Sequence, residues 1–276
     1  MPNDSFQTIH AQAVGKGDKS YTDPDTGYRV ITELGHLARG SCCGCGCRHC
    51  PFAHDKVPAN KRGQAAKVPT LLHEDYCVTK ECDVLFWSGG KDSYLSYRYL
   101  EKEFKNNPRD IVLLTTFDAV TRVVAHQEVA FSKIEDQSSW LQCPLLAVPL
   151  FTGMDYVNRI SLSLETLGRH YNIKRLVFGD LHLENIRNWR ETSFEPLVKQ
   201  FGVSLYFPIW QEPYDVLRAE LENSGVDIKI TAVREAVLNG QVQVGDSFCS
   251  DLIDALPSEV DDFGENGEFH TYVGPK

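Results

Sequence analysis

The segment Ser88-Gly89-Gly90-Lys91-Asp92-Ser93 carries the densest set of residues that could handle phosphate. Two adjacent glycines let the backbone turn tightly and bring its N–H groups close to an anion, and Lys91 adds a positive charge. Ser88 and Ser93 can donate hydroxyl hydrogen bonds to phosphate oxygens, while Asp92 could hold Mg²⁺ or cap a helix. The apolar run Asp83 to Trp87 precedes this hexapeptide and a helical pattern begins near Tyr94, so a helix dipole would point at the bound anion. A phosphate cradle is therefore expected, against the plainer reading of a Gly-Gly turn with a serine cap. The spacing differs from G-x-x-x-x-G-K-[ST], which excludes a Walker A loop.

Two further segments place carboxylates where they could act. Val177-Phe178-Gly179-Asp180 ends a strand-like run and leads into a segment containing Glu184, Arg187, Arg190 and Glu191. Asp180 and Glu184 could orient ammonia, bind Mg²⁺ or act as a base; Arg187 and Arg190 could neutralise a substrate carboxylate or charge developing on a phosphate. The alternative is ordinary helix-surface pairing, Glu184 with Arg187 at i, i+3 and Arg187 with Glu191 at i, i+4. Near the end, Gly264-Glu265-Asn266-Gly267-Glu268-Phe269-His270-Thr271 reads as a loop that two glycines allow close to a ligand. Composition alone also allows a solvated turn there.

The third cluster is Cys42-Cys43-Gly44-Cys45-Gly46-Cys47-Arg48-His49-Cys50, which holds five of the nine cysteines. Soft donors at this density suit Zn²⁺ or an iron-sulfur cluster, with His49 and His54 as spare imidazoles. The C-x-x-C spacing occurs twice, at Cys42/Cys45 and Cys47/Cys50. Reduced structural cysteines in a glycine-rich loop are the alternative.

These motifs carry resemblances. SGGKDS resembles the loop of the N-type ATP pyrophosphatases, in the adenine nucleotide α-hydrolase-like superfamily. That resemblance implies β- and γ-phosphates on residues 88–93, attack of a substrate oxygen on the α-phosphate, and adenine against the backbone of Trp87 and the Thr115 to Phe117 region, with Thr116 as a nucleotide contact. The FGD…E…R and GE-x-GE-F segments, together with His126, resemble the diphthine-ammonia ligase family over roughly residues 80 to 273. The resemblance implies an ATP-dependent amide ligase: a carboxylate is adenylated and then amidated by ammonia, releasing AMP and pyrophosphate. It casts Asp180, Glu184, Arg187, Glu265 and Glu268 as catalytic, His126 as a nucleotide contact, and Gly179, Asn266, His270 and Thr271 as substrate contacts. His270 stands where relatives more often carry an acidic residue. The acceptor would be diphthine on elongation factor 2 or a small carboxylic acid. The cysteine string resembles a small domain of unknown function; Cys45 replaces a more usual Asn or Ser there, which leaves Cys42, Cys43, Cys47 and Cys50 as the expected metal ligands. A tRNA thiolase and a non-catalytic nucleotide-binding protein are the rival functions.

Short, nearly continuous apolar runs at residues 83–88, 110–117, 144–150, 174–179 and 204–208 read as strands covered on both faces. Between them, Tyr97, Leu100 and Phe104, and then Tyr156, Ile160, Leu164, Leu167 and Tyr171, keep helical spacing. The alternation predicts a three-layer α/β fold with a parallel sheet, of the ATP pyrophosphatase type, over residues 71–276. Ligands then lie at the carboxyl ends of the strands. Residues 1–70 read as an N-terminal segment with the Cys-rich module, one short strand at residues 28–32, and a solvated linker from His54 to Pro69.

At 276 residues, with 42% hydrophobic and 24% charged side chains, the chain has ordinary globular composition. Nothing in it is long enough to cross a membrane. The formal charge of −10 argues against nonspecific nucleic-acid binding. The opening residues lack a basic n-region and an apolar h-region, so a cytoplasmic protein with reduced cysteines is expected.

Overall fold

The computed structural model describes residues 5–22, 29–45, 47–52, 56–58, 68–119, 121–124, 127–151, 155–238 and 240–276. Most of the expected linker and the histidine at position 126 lie outside these residues. In chain order the elements begin with α1 (Ser5–Gly15), β1 (Ser20–Thr22), β2 (Arg29–Ile31), α2 (Glu33–Arg39), β3 (Thr70–Leu72) and β4 (Glu81–Phe86). There follow α3 (Lys91–Phe104), β5 (Asp110–Asp118), β6 (Val123–Val124), β7 (Val129–Ala130), α4 (Phe131–Leu141), β8 (Leu145–Leu150), α5 (Tyr156–Gly168) and β9 (Asn172–Val177). The chain closes with α6 (Glu184–Phe201), β10 (Ser204–Tyr206), α7 (Tyr214–Asn223), β11 (Val226–Val233), α8 (Glu235–Leu238), α9 (Ser250–Asp254) and β12 (Phe269–Pro275).

Six strands form the central sheet in the order β10-β9-β4-β5-β8-β3. The pairs β10/β9, β9/β4 and β4/β5 are parallel, as the continuous apolar runs required. The edge strand β3 is antiparallel to β8, a departure from the all-parallel expectation. Three residues long, it carries too little pattern to be read as a strand from sequence. The α/β architecture itself is as expected, with helices flanking the sheet.

Burial follows the strand pattern closely. Val84, Leu85, Val112, Leu113, Leu145, Leu146, Leu176 and Val177 have almost no exposed surface. Helix α3 turns Tyr97, Leu100 and Phe104 inward at its predicted spacing, and α4 buries Phe131, Ile134, Gln137 and Ser138. A separate two-stranded antiparallel sheet joins β11 to β12 over most of their length. The expected terminal loop is thus half strand: from Phe269 onward the closing segment is β12, with Phe269, Thr271 and Val273 facing inward.

The chain forms two compact units. One comprises Met1–Val68, Asp118–Arg122 and Pro149–Ile160; the other comprises Pro69–Phe117, Val123–Val148 and Ser161–Lys276. In the first, α1 occupies a stretch whose polar composition gave no helical signal, and β1 pairs with β2 as a short antiparallel ribbon. Helix α2 begins with the side chain of Thr32 accepting from Gly35 N–H and ends at Gly40 in the left-handed conformation.

In the second unit, Asp83 on β4 is fully buried and charged groups close around it. Arg109 donates to its Oδ1 at 2.8 Å and Arg175 to its Oδ2 at 2.6 Å. Arg175 also stacks on Tyr206, 4.1 Å from the ring centroid. Removing the carboxylate would leave two guanidinium groups facing a dry strand. We expect Asp83→Ala to destabilise the fold by about 3 to 5 kcal/mol, read as a lowered urea midpoint with an unchanged m-value; a shift under about 1 kcal/mol would show the pair to be dispensable.

Candidate active site

The loop at residues 87–90, expected to bind phosphate, joins β4 to α3 at the carboxyl edge of the sheet. Gly89 has φ of +84°, and a Cβ there would lie 2.7 Å from Ile134 Cδ1 and 2.8 Å from Gln137 Oε1. Both conformation and space therefore demand glycine. Gly90 caps α3; a Cβ on it would meet Thr271 O at 3.0 Å and Oγ1 at 3.2 Å. Ser93 Oγ donates to Gly90 O at 2.9 Å, and Ser88 Oγ, 3.3 Å from Ser93 Oγ, accepts from Gly90 N–H. The serines thus brace the turn that presents its amides.

The closing segment, 180 residues further on, is seated on this loop. Thr271 Oγ1 accepts Lys91 N–H at 3.1 Å, and Val273 N–H donates to Gly89 O at 2.9 Å. Gly179 also packs here, since a Cβ on it would fall 2.8 Å from Asp92 O. The three motifs read separately in the sequence meet at one place.

Lys91 is buried. Its ammonium lies 2.9 Å from Asp92 Oδ2 and beside three phenyl rings, 5.3 Å from the centroid of Phe263, 5.7 Å from Phe248 and 5.8 Å from Phe269. Ring faces favour the cation and keep water from it. Around it gather carboxylates. Burial pushes the Asp92 carboxyl up against the pull of Lys91. Burial first, then the charge of Asp92, push Glu265 up to about 8, with Asp261 and Asp180 adding to the effect and Lys91 opposing it. Glu265 thus holds a proton at neutral pH and sits near the value wanted of a proton-transfer group.

The closing loop owes its shape to Asp261. Its Oδ1 accepts Phe263 N–H at 2.9 Å and Glu265 N–H at 3.2 Å, while Tyr214 donates its hydroxyl to Oδ2 at 2.9 Å. Glu268 is buried; its Oε1 accepts from Asp261 N–H and Asn266 Nδ2, and its Oε2 has no partner. Gly264 and Gly267 both take left-handed conformations, at φ of +69° and +76°, so the glycines serve this turn. Asp261, Tyr214 and Gln137 were missed in the sequence. Asp261 lies three residues before the motif as first bounded, and the Asp-x-Phe-Gly start of an Asx-type turn was the signal that could have revealed it.

Not every expected residue joins the cluster. Asp180 is held in a two-pronged ion pair by Arg190, at 2.5 and 2.9 Å, which leaves it poorly placed to act as a free base. Arg187 pairs with Glu191 at 2.9 Å and stacks on Phe207 and Trp210, the helix-surface alternative. Glu184 is exposed in the first turn of α6. Thr116 is half-buried at the carboxyl end of β5, one residue beyond Thr115, whose hydroxyl donates to Trp87 O at 2.7 Å. His270 lies half-buried on β12.

A hollow of about 460 Å³ opens at the opposite edge of the sheet, lined by Tyr97, Phe104, Arg109 and Cys143 among others. It begins at Asp110 and Pro144, where β5 and β8 start, so it is unrelated to the phosphate loop.

Donors for a metal occur in both units. Beside the loop, Asp92 Oδ1 and Glu268 Oε2 are buried oxygens without partners, and among the described residues no three His, Cys, Asp or Glu side chains converge as a protein-only cage. That fits Mg²⁺, which binds through one or two carboxylates and completes its shell with substrate phosphates and water. In the N-terminal unit Cys43 Sγ lies 3.0 Å from Cys47 Sγ and Cys50 Sγ lies 3.8 Å from Cys42 Sγ, two separate pairs, and no three of these thiols converge as a group that could hold a metal among the described residues. The second distance matches the edge of about 3.8 Å that tetrahedral Zn–S bonds of about 2.3 Å would set. Cys45 is exposed, and its thiol turns to the Cys43 carbonyl. His49 is not a spare imidazole, because Tyr21 bonds its Nε2 at 2.8 Å and His10 stacks on the ring at 3.6 Å. His54 lies outside the described residues.

Residues 9–56 match the model of a family of unknown function, DUF5522. Among solved structures, the chain is similar to one titled as a predicted subunit of tRNA methyltransferase from Methanocaldococcus jannaschii, with a TM-score of 0.34 and 18% identity, covering 56% of this chain and 80% of that one. No helix among the described residues is long and apolar enough to cross a membrane.

The raised Glu265 has a consequence for stability. From its ordinary 4.5 to about 8 the folded chain holds a proton that the unfolded chain has released. Its stabilising contribution is full below that window and is lost as pH rises through it. Glu265→Gln should therefore gain stability relative to the parent as the pH is raised from about 5 to about 8, measured by urea unfolding at each pH. A difference that stays constant across the window would mean that Glu265 titrates normally.

Proposed function

We propose that the chain is an ATP pyrophosphatase-type amide ligase. Residues 88–93 receive the β- and γ-phosphates, and a carboxylate acceptor displaces pyrophosphate from the α-phosphate to give an acyl adenylate. Ammonia then attacks the acyl carbon, AMP leaves, and one proton is released with the amide. The observation that carries this reading is the seating of the closing segment on the loop at residues 88–93, which puts Glu265 within electrostatic reach of Lys91 and Asp92, and Asp261 within reach of Asp92.

Each group has a part. The loop amides, the α3 dipole and Lys91 neutralise phosphate, and the three phenyl rings raise the strength of that contact by excluding water. Glu265, whose raised proton affinity lies near neutrality, would accept the proton lost by ammonia in its ionised form, which the charge of Mg²⁺ held with the phosphates would favour. Asp92 and Glu268 would hold Mg²⁺, which supplies charge neutralisation at the phosphates. Arg190 fixes Asp180 at the rim. The acceptor is a carboxylate, with diphthine on elongation factor 2 as the first candidate and small carboxylic acids next.

The test is pyrophosphate release from ATP and Mg²⁺ that requires a carboxylate acceptor, with AMP and amide formation that requires ammonia as well. Lys91→Ala should weaken ATP binding about ten- to a hundredfold by calorimetry, equivalent to a charge-assisted contact of about 1.5 to 3 kcal/mol, with the fold intact. Unchanged ATP affinity would remove the loop from the site. Pyrophosphate release that needs a tRNA instead of a carboxylate would favour the thiolase, and nucleotide binding without turnover on any acceptor would favour a sensor.

For the N-terminal module we infer a soft-metal site on Cys42, Cys43, Cys47 and Cys50. Purified protein should carry close to one equivalent of zinc or iron, and Cys50→Ser should lose it while ATP binding persists, both read by elemental analysis and calorimetry. Protein free of both metals after anaerobic purification would leave the cysteines as structural thiols.

A further inference from the structure

Gln137 is almost fully buried on α4 and uses every polar atom of its side chain. Its Oε1 accepts the indole N–H of Trp87 at 2.8 Å, and its Nε2 donates to Gly89 O at 2.9 Å and to Val273 O at 2.6 Å. The orientation of the amide is unambiguous: two carbonyls face the nitrogen and one N–H faces the oxygen. Val273 N–H also donates to Gly89 O, so Gly89, Val273 and Gln137 close a ring of hydrogen bonds. No other natural side chain of this length offers one acceptor and two donors in that arrangement.

We propose that Gln137 is a positioning residue that sets the register of β12 on the phosphate loop, and through it the placement of the carboxylates at the site; this rests on the nucleotide reading above. One atom decides the geometry at each end. Gly89 O receives both Gln137 and Val273, so the turn with positive φ is held from the side away from a bound anion. Val273 O receives Gln137, which leaves Thr271, two residues earlier on the same face of β12, directly over Lys91 N–H. A slip of β12 by one residue would turn Thr271 and Val273 outward and withdraw the Glu265–Glu268 turn. Trp87 is held by the same amide, which ties the strand end where the adenine is expected to the same clasp.

The test compares Gln137→Met, which keeps length without the hydrogen bonds, with Ser138→Ala as a control on the same helix. Ser138 Oγ donates to Cys143 O at 2.6 Å, away from the loop. If Gln137→Met fails to fold, Gln137→Glu replaces it, since a carboxylate retains the acceptor for Trp87 and loses both donors. Amide hydrogen exchange should quicken about tenfold or more over residues 269–275 in the Gln137 variant and not in the Ser138 variant. The dissociation constant for ATP with Mg²⁺ should rise about tenfold in the same protein. Equal exchange in parent and Gln137 variant, or equal quickening in the Ser138 control, overturns the clasp. Faster exchange with undiminished ATP affinity overturns the positioning role. Absence of ATP binding in the parent overturns the nucleotide reading instead, and the exchange comparison still decides the clasp.

Discussion

The carbonyl oxygen of Gly89 is the point on which the site depends. It accepts from Val273 N–H and from the Gln137 amide, both at 2.9 Å, and so links β4, α4 and β12 at a single atom. A glycine pair at a strand end is otherwise the least ordered kind of chain, with the largest backbone entropy to lose. Here that entropy loss is offset by a partner at the far end of the sequence. Closing so long a loop costs little more than closing a moderate one, because the cost grows only with the logarithm of length. β12 is in turn held by its ladder with β11, so the last strand is a rigid support and not a trailing end.

The glycine-bearing turn before α3 and the inner strands were legible because their signals are local. An unbroken apolar run implies burial on both faces wherever it sits, and two glycines followed by a lysine keep their meaning at any helix start. β11 carries an alternation that was not used, Val226, Ile228 and Ile230 separated by Asp227 and Lys229. The segment leading into β12 reads as loop because glycines and carboxylates crowd its approach. Those residues belong to a turn organised by Asp261, and the turn and the strand sit side by side. Gln137 and Tyr214 could not be found this way. Each matters through a partner far away in sequence, and an isolated glutamine on a helix gives no hint of which carbonyls it will meet.

In the cysteine cluster the contacts do not follow the C-x-x-C spacing. The chain turns at Gly44, with φ of +78°, and brings Cys43 to Cys47 and Cys42 to Cys50, the four residues expected as ligands. Cys45 is carried outward by the same turn. Among the described residues before position 69, the buried apolar side chains are Ala13, Tyr21, Cys42 and Val57. The same compact unit also takes in Ala119 and Ile160, which have no exposed surface.

Charge completes the argument about the site. Lys91 faces Asp92 directly, and Glu265, Asp261 and Asp180 add their potentials in a setting that phenyl rings keep dry. Asp180 has its own cation in Arg190. The remaining imbalance is relieved in part by a proton on Glu265, whose proton affinity is raised first by burial and then by the charge of Asp92. On the proposed reading, a triphosphate brings several more negative charges to the same place. Low dielectric then works against binding as strongly as it favours a matched pair, so the loop amides and one lysine do not suffice. The unpartnered oxygens of Asp92 and Glu268 would hold a divalent cation bound with the phosphates, whose charge would lower the proton affinity of the nearby carboxylates. On that reading an acidic pocket beside the loop at residues 88–93 is no contradiction, because its carboxylates would be matched to a nucleotide that brings its own metal.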